Sequence, residues 1–189
     1  MRRRPTLSLN EWAVLGLLVE RPRHGYDVAA ALAPGTEVGR VWRLTRPLVY
    51  RAIERLDALA LARAQHTEPS GTGPPRTLYA ATDAGRDRLG GWLAEPVDHL
   101  RDMRAAFLLK LVLARRLGVD TTGLVRAQRD RLDAQITALG AAPPPDQVVA
   151  LWRHHSALAA RAFLDALASD EPTPAGPSTP RRPTGEDAP

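Results

Sequence analysis

Residues 62–81, ARAQHTEPSGTGPPRTLYAA, constrain the fold more than any other stretch. Two short extended runs, 62–67 and 77–81, flank a cluster of Gly, Pro and Ser. Such a cluster breaks helices and strands alike, so the segment predicts a β-hairpin with a long tip. Helical patterns lie on both sides of it. The chain must therefore fold around a hairpin that follows three helices and precedes several longer ones.

The helices before the hairpin are punctuated clearly. Ser8-Leu9-Asn10-Glu11 is a capping box, with Leu7 and Trp12 placed as its hydrophobic staple. The helix it opens runs to about Glu20 and is apolar nearly all round, so burial on several sides is expected. Arg21-Pro22 ends it. His24-Gly25-Tyr26 opens a short helix, Asp27 to about Leu32, stopped by Pro34-Gly35, and a loop is expected to Arg43. A third helix lies within Leu44–Ala62, with Thr45 or Arg46 as its cap and Pro47 in its first turn, where a missing N–H does no harm. Val49, Ala52, Ile53, Leu56 and Leu59 form its buried stripe. Its opposite face carries Tyr50, Arg51, Glu54 and Arg55.

After the hairpin, Thr82 caps a helix over 83–94. Long helices are expected over about 98–117, closed by Gly118, over 121–139, and from an Asp146 cap to about Ala168. The last is apolar at Val148, Trp152, His155, Ala159, Ala162, Phe163 and Ala166. Residues 169–189 are Pro-rich and contain no large apolar side chain, which predicts a disordered tail.

Three short helices and a hairpin make a winged helix-turn-helix. The fold class expected is mainly α: a winged helix-turn-helix DNA-binding domain over 7–95, then a C-terminal α-helical dimerisation domain over 98–168. The helix after Leu44 occupies the recognition position, where N-terminal residues face the major groove. Thr45, Tyr50 and Arg76 on the wing suit phosphate oxygens; Arg46 and Arg51 are candidates for base edges, with Arg55 one turn further in. The competing reading is a solvated helix face in a protein-assembly module. Charge leans toward a polyanion. Residues 1–95 hold 14 arginines against 10 acids, whereas 96–189 hold 12 Arg and Lys against 11 acids.

Other chemistries find little support. There is no cysteine, which excludes disulfides and thiolate catalysis or ligation. His154-His155 and His99 form no zinc pattern, because adjacent helical histidines diverge. No Ser/His/Asp set, phosphate loop or paired carboxylates appear, so no catalytic residue, metal or cofactor is expected. The first twenty residues faintly mimic a signal peptide, but Asn10 and Glu11 interrupt the apolar run. No run approaches the roughly 20 apolar residues of a membrane span, so a cytoplasmic location is expected. Trp12 and Tyr26 are assigned to the core.

The residues 7–18 (LSLNEWAVLGLL), 24–32 (HGYDVAAAL), 44–62 (LTRPLVYRAIERLDALALA), 73–89 (GPPRTLYAATDAGRDRL) and 101–114 (RDMRAAFLLKLVLA) resemble the PadR family of bacterial transcription regulators. The family marks are His24-Gly25-Tyr26, the Thr45, Tyr50, Ile53, Leu56 spacing, and Arg76 to Gly85 after the wing. Together the matches span roughly 7–165. The resemblance implies a homodimer on its C-terminal helices, repression of nearby genes through double-stranded DNA, and release by a small-molecule effector or a stress signal. Aromatics at the dimer interface can line a ligand pocket in the family, which makes Trp92 and Trp152 candidates. The family usually has Gly where the recognition helix ends; here it is Ala60. The stripe Val125, Leu132, Ile136 and Leu139 is expected as the dimer seam, and a two-fold dimer predicts an inverted-repeat operator.

Overall fold

The computed structural model describes residues 5–68 and 76–169. The elements are α1 (Leu9–Glu20), β1 (Arg23–His24), α2 (Gly25–Ala31), α3 (Glu37–Val41), α4 (Arg46–Ala58), β2 (Ala62–Glu68), β3 (Arg76–Ala81), α5 (Asp83–Ala94), α6 (Leu108–Arg116), α7 (Thr122–Leu139) and α8 (Val148–Ser169). A 3₁₀ turn, Leu100–Asp102, and a π-helical turn, Met103–Phe107, lead into α6. The long helix expected from Asp98 thus starts at Leu100 and changes winding twice.

α1 is the hub. Every residue from Trp12 to Leu18 is buried, as an all-round apolar helix requires. Its start is held by the Glu11 carboxylate, which accepts from the Ser8 N–H at 2.5 Å. α4, α5, α6 and β3 all pack on it. Gly16 lets α6 come close, since a Cβ there would lie 2.6 Å from Leu113 Cδ1. Arg116 at the end of α6 bonds Glu20 (2.7 Å) and Glu37 (3.1 Å), fastening α6 to α1 and α3.

The hairpin forms as expected and is joined by a third strand. The sheet order is β1-β3-β2, all antiparallel. Register shifts between Ala64 and His66, so β2 bulges on its way to the tip. The loop expected to Arg43 contains α3, a single capped turn in which Thr36 Oγ1 accepts from Gly39 N–H at 3.0 Å. Gly39 is obligatory there, because a Cβ would meet the Ala33 carbonyl at 1.9 Å.

α4 ends earlier than the apolar pattern implied. Leu61 N–H reaches back to Leu56 O and Ala60 N–H to Asp57 O, both at 2.8 Å, a Schellman closure. Ala60 takes the left-handed position, φ +55°. Gly118 plays the same part after α6, φ +65°.

Buried residues fall into two clusters. The first joins α1, α2, α4 and α5 with Leu109, Leu113 and Ala114 of α6. The second joins Met103 and Phe107 with Leu124, Val125 and Leu132 of α7 and Ala157 and Leu164 of α8. This corrects the expected dimer seam. Val125 and Leu132 are buried within the chain, Ile136 packs against the same cluster, and Leu139 is exposed. The α8 pattern is corrected too. α8 turns Ala157 and Leu164 inward, whereas Val148, Trp152, His155, Ala159, Ala162, Phe163 and Ala166 are exposed. α7, not the solvent, selected which side of this Ala-rich helix faces in. The expected tail, apart from Ser169, lies outside the described residues, as does the wing tip 69–75.

Candidate nucleic-acid interface

The buried stripe of α4 is Val49, Ala52, Ile53 and Leu56, packed on α1 and α2. Outside it, Thr45, Arg46, Tyr50, Arg51 and Arg55 are all exposed, Arg51 on the side opposite the stripe. Thr45 is the N-cap, with extended backbone (φ −79°, ψ 155°), but its side chain makes no capping bond. Its hydroxyl is therefore left for an outside acceptor. The approach to α4 is rigid: Trp42 Nε1 donates to Asn10 Oδ1 at 2.9 Å, and Leu44 N–H donates to Leu32 O at 3.2 Å. A helix end pinned on both sides presents its first turn with little reordering on binding.

Arg51 and Arg55 form no ion pair with any described residue. Arg46 has a different neighbour. Its guanidinium carbon lies 5.0 Å from the centroid of the Tyr26 ring. Tyr26 is 56% exposed, which corrects its expected place in the core. Its partner in the His-Gly-Tyr triplet, Gly25, is the residue that packs: Tyr50 lies against it so closely that a Cβ would meet Tyr50 Cε1 at 2.6 Å. The triplet was readable as a unit, but its glycine serves α4 and its tyrosine faces water.

Arg76 begins β3 and is exposed at the base of the wing, next to Thr77, whose Oγ1 lies 3.2 Å from Thr67 Oγ1. The wing is set by Thr82, whose hydroxyl donates to Ala60 O at 2.8 Å while accepting from Gly85 N–H at 3.1 Å. Gly85 itself sits on the Leu61 carbonyl, where a Cβ would come within 2.1 Å. The end of α4, the start of the wing and the start of α5 are thus one joint.

The two candidate ligand tryptophans are not brought together. Trp92 is half-buried, stacked on Trp12 with centroids 4.7 Å apart and planes 10° apart. Lys110, the chain's single lysine, is buried with its Nζ 4.1 Å from the Trp92 ring centroid, and it donates to the Trp92 carbonyl. Burial lowers the Lys110 pKa to about 8, with Glu95 opposing the shift. Trp152 is 73% exposed on α8 and borders an open groove of about 980 Å³. Leu100, Met103, Leu139 and Phe163 supply apolar surface there, and Arg104 and Arg153 supply positive charge. Trp92 stacks on Trp12, and Trp152 is the candidate that lies at the groove.

Among the described residues no group of three or more His, Cys, Asp or Glu can hold a metal ion. No described helix is long and apolar enough to cross a membrane.

The chain is similar to a probable transcriptional regulator of Mycobacterium tuberculosis, with 30% identity over 129 residues. That alignment takes in 68% of this chain and 66% of the relative, just under two thirds of its length. Among solved structures it is similar to Bacillus subtilis PadR in complex with operator DNA, at 19% identity and TM-score 0.46, over 86% of this chain and 98% of that one. It is also similar to smu.1604c from Streptococcus mutans, at 17% identity and TM-score 0.42, over 85% and 98%. Superpositions this loose add nothing to the sequence match. The family model for the transcriptional regulator PadR-like family matches residues 14–91, from within α1 to within α5. Residues 14–91, the helix-turn-helix and its wing, are thus a domain of the PadR-like family of transcriptional regulators.

Proposed function

We propose that this protein is a cytoplasmic, non-enzymatic transcription regulator that binds operator DNA as a homodimer and represses until a small molecule releases it. The observation that carries the reading is the face of α4. A pinned helix exposes Thr45, Arg46, Tyr50, Arg51 and Arg55 outside its buried stripe, beside a wing that begins at Arg76. Residues 7–95 are the DNA-binding part and 98–168 the dimerising part. Val148, Val149, Trp152 and Phe163 leave an apolar strip of α8 in water, and a second copy of the chain would cover it. The groove beside Trp152 is where an effector has room.

The test is a gel shift of the DNA upstream of the protein's own gene, at moderate salt, with wild type and with a variant lacking Arg46, Tyr50 and Arg51 together. Specific retardation by wild type alone is expected. Equal retardation by the triple variant, with its melting temperature unchanged, would remove α4 as the reading helix. No retardation at all would leave a protein-assembly module.

A further inference from the structure

α4 advances about 100° per residue, so its outward residues can be ordered around its axis. Pro47, Arg51, Glu54 and Ala58 lie nearest the point opposite the buried stripe. Arg46 and Tyr50 are displaced toward α2, as their contacts with Tyr26 and Gly25 show. The face therefore has a centre and a flank.

The flank is built around an aromatic ring kept in water. Nothing in the core requires Tyr26, yet its ring holds the guanidinium of the first residue of α4. Stacking on a ring fixes an arginine's rotamer and leaves its N–H fork free to donate. It also draws the side chain sideways, away from the line along which a groove floor would be reached. Arg51 has no such restraint and stands at the centre.

Given the DNA-binding reading above, on which this rests, we propose that Tyr26 is a further residue of the DNA interface. It holds Arg46 on the α2 side of α4 to clamp the phosphate backbone, with Tyr50 beside it, and leaves Arg51 to read a base edge. The Tyr26 hydroxyl, exposed at the same flank, is a second phosphate donor. Arg51 at the centre is placed for a bidentate pair with guanine.

The experiment begins by selecting duplexes from a random pool with the full-length wild type. Affinities for the selected duplex, its single-base variants and a scrambled duplex are then measured by fluorescence anisotropy, and each protein variant is melted. Tyr26→Ala should lower affinity for selected and scrambled duplexes alike, by about 2- to 5-fold, and should retrieve the same sequence from the pool. Tyr26→Phe keeps the ring and should lose less. Arg46→Ala should also act uniformly. Arg51→Ala should lose about 5- to 150-fold in discrimination at one base position.

A change of preferred base with Tyr26→Ala overturns the proposal. So does an unaltered affinity, a Tyr26→Ala protein that unfolds, or an Arg46→Ala protein that relaxes a base while Arg51→Ala does not. If the wild type retrieves no duplex, the DNA-binding reading itself falls; the outcomes confined to Tyr26 and the arginines leave that reading standing.

Discussion

Replacing Ala60 with Gly should stabilise the protein even though it removes a methyl group. Ala60 follows α4 with φ +55°, the left-handed conformation that a Cβ opposes. That opposition costs a non-glycine residue about 1–2 kcal/mol. Gly escapes it but gives the unfolded chain more freedom, which offsets roughly 0.5–1 kcal/mol. Ala60 is exposed, so no cavity forms. The bonds that need this conformation, Leu61 N–H to Leu56 O, Ala60 N–H to Asp57 O and Thr82 Oγ1 to Ala60 O, use no side-chain atom of residue 60 and survive the change. The balance is a gain of about 0.5–1 kcal/mol, worth roughly 1–4 °C in melting temperature for a chain of this size. Urea titration at fixed protein concentration would measure it. An unchanged or lower midpoint would mean that Ala60 is unstrained and that the Schellman reading of the helix end is wrong.

Gly25→Ala should push the Tyr50 ring off its seat, since the new Cβ would sit 2.6 Å from Cε1; anisotropy should show weaker DNA binding with a near-native melt, and full affinity would dissociate Tyr50 from the interface. Lys110 makes stability pH-dependent. With its pKa lowered to about 8 from 10.5 by burial, the folded chain binds fewer protons than the unfolded one between those values. Stability should therefore rise with pH through that window, by at most about 3 kcal/mol, the Trp92 ring and carbonyl reducing the gain because they favour the cation. Lys110→Met should abolish the rise, and parallel wild-type and variant profiles between pH 7.5 and 9 would contradict it. Phe163→Asp should turn a dimer of about twice 20.6 kDa into a folded monomer in light scattering, and an intact dimer would move the seam off α8. Leu132→Ala should instead cost about 2–5 kcal/mol of folding stability, because Leu132 is 1% exposed within one chain; a loss of dimer without loss of stability would restore α7 as the seam.

What the sequence made legible follows from the length of each signal. α4 is visible because Thr45, Pro47 and the apolar stripe from Val49 to Leu59 agree, and four of its five residues are buried in the 13-residue helix. The hairpin was visible because its breakers are concentrated in one place. α3 was not, since five residues are too few to display a period; only Thr36 followed by Glu37 hinted at a cap. β1 is two residues long and exists only because β3 passes beside it. The face of α8 was misread for a related reason. A helix with alanines all round does not declare which side goes inward, and α7 made that choice through Ala157 and Leu164. At the site, the exposed residues of α4 followed directly from its period. Tyr26 did not, because an aromatic beside a glycine reads as core until the glycine is seen to be occupied by Tyr50.

The tryptophans give the molecule an optical asymmetry. Trp12 and Trp92 are stacked, with a lysine cation over Trp92, and Trp42 is tied to Asn10. Trp152 alone stands in water, on the strip of α8 that a second chain would cover. Its emission should fall at longer wavelength than that of the sheltered indoles, and a collisional quencher such as iodide should reach it first. Closure of a second chain over α8 should shift that component to the blue and protect it, while a duplex seated on α4 should leave it unchanged. Assembly can thus be followed in the unlabelled protein whether or not DNA is present.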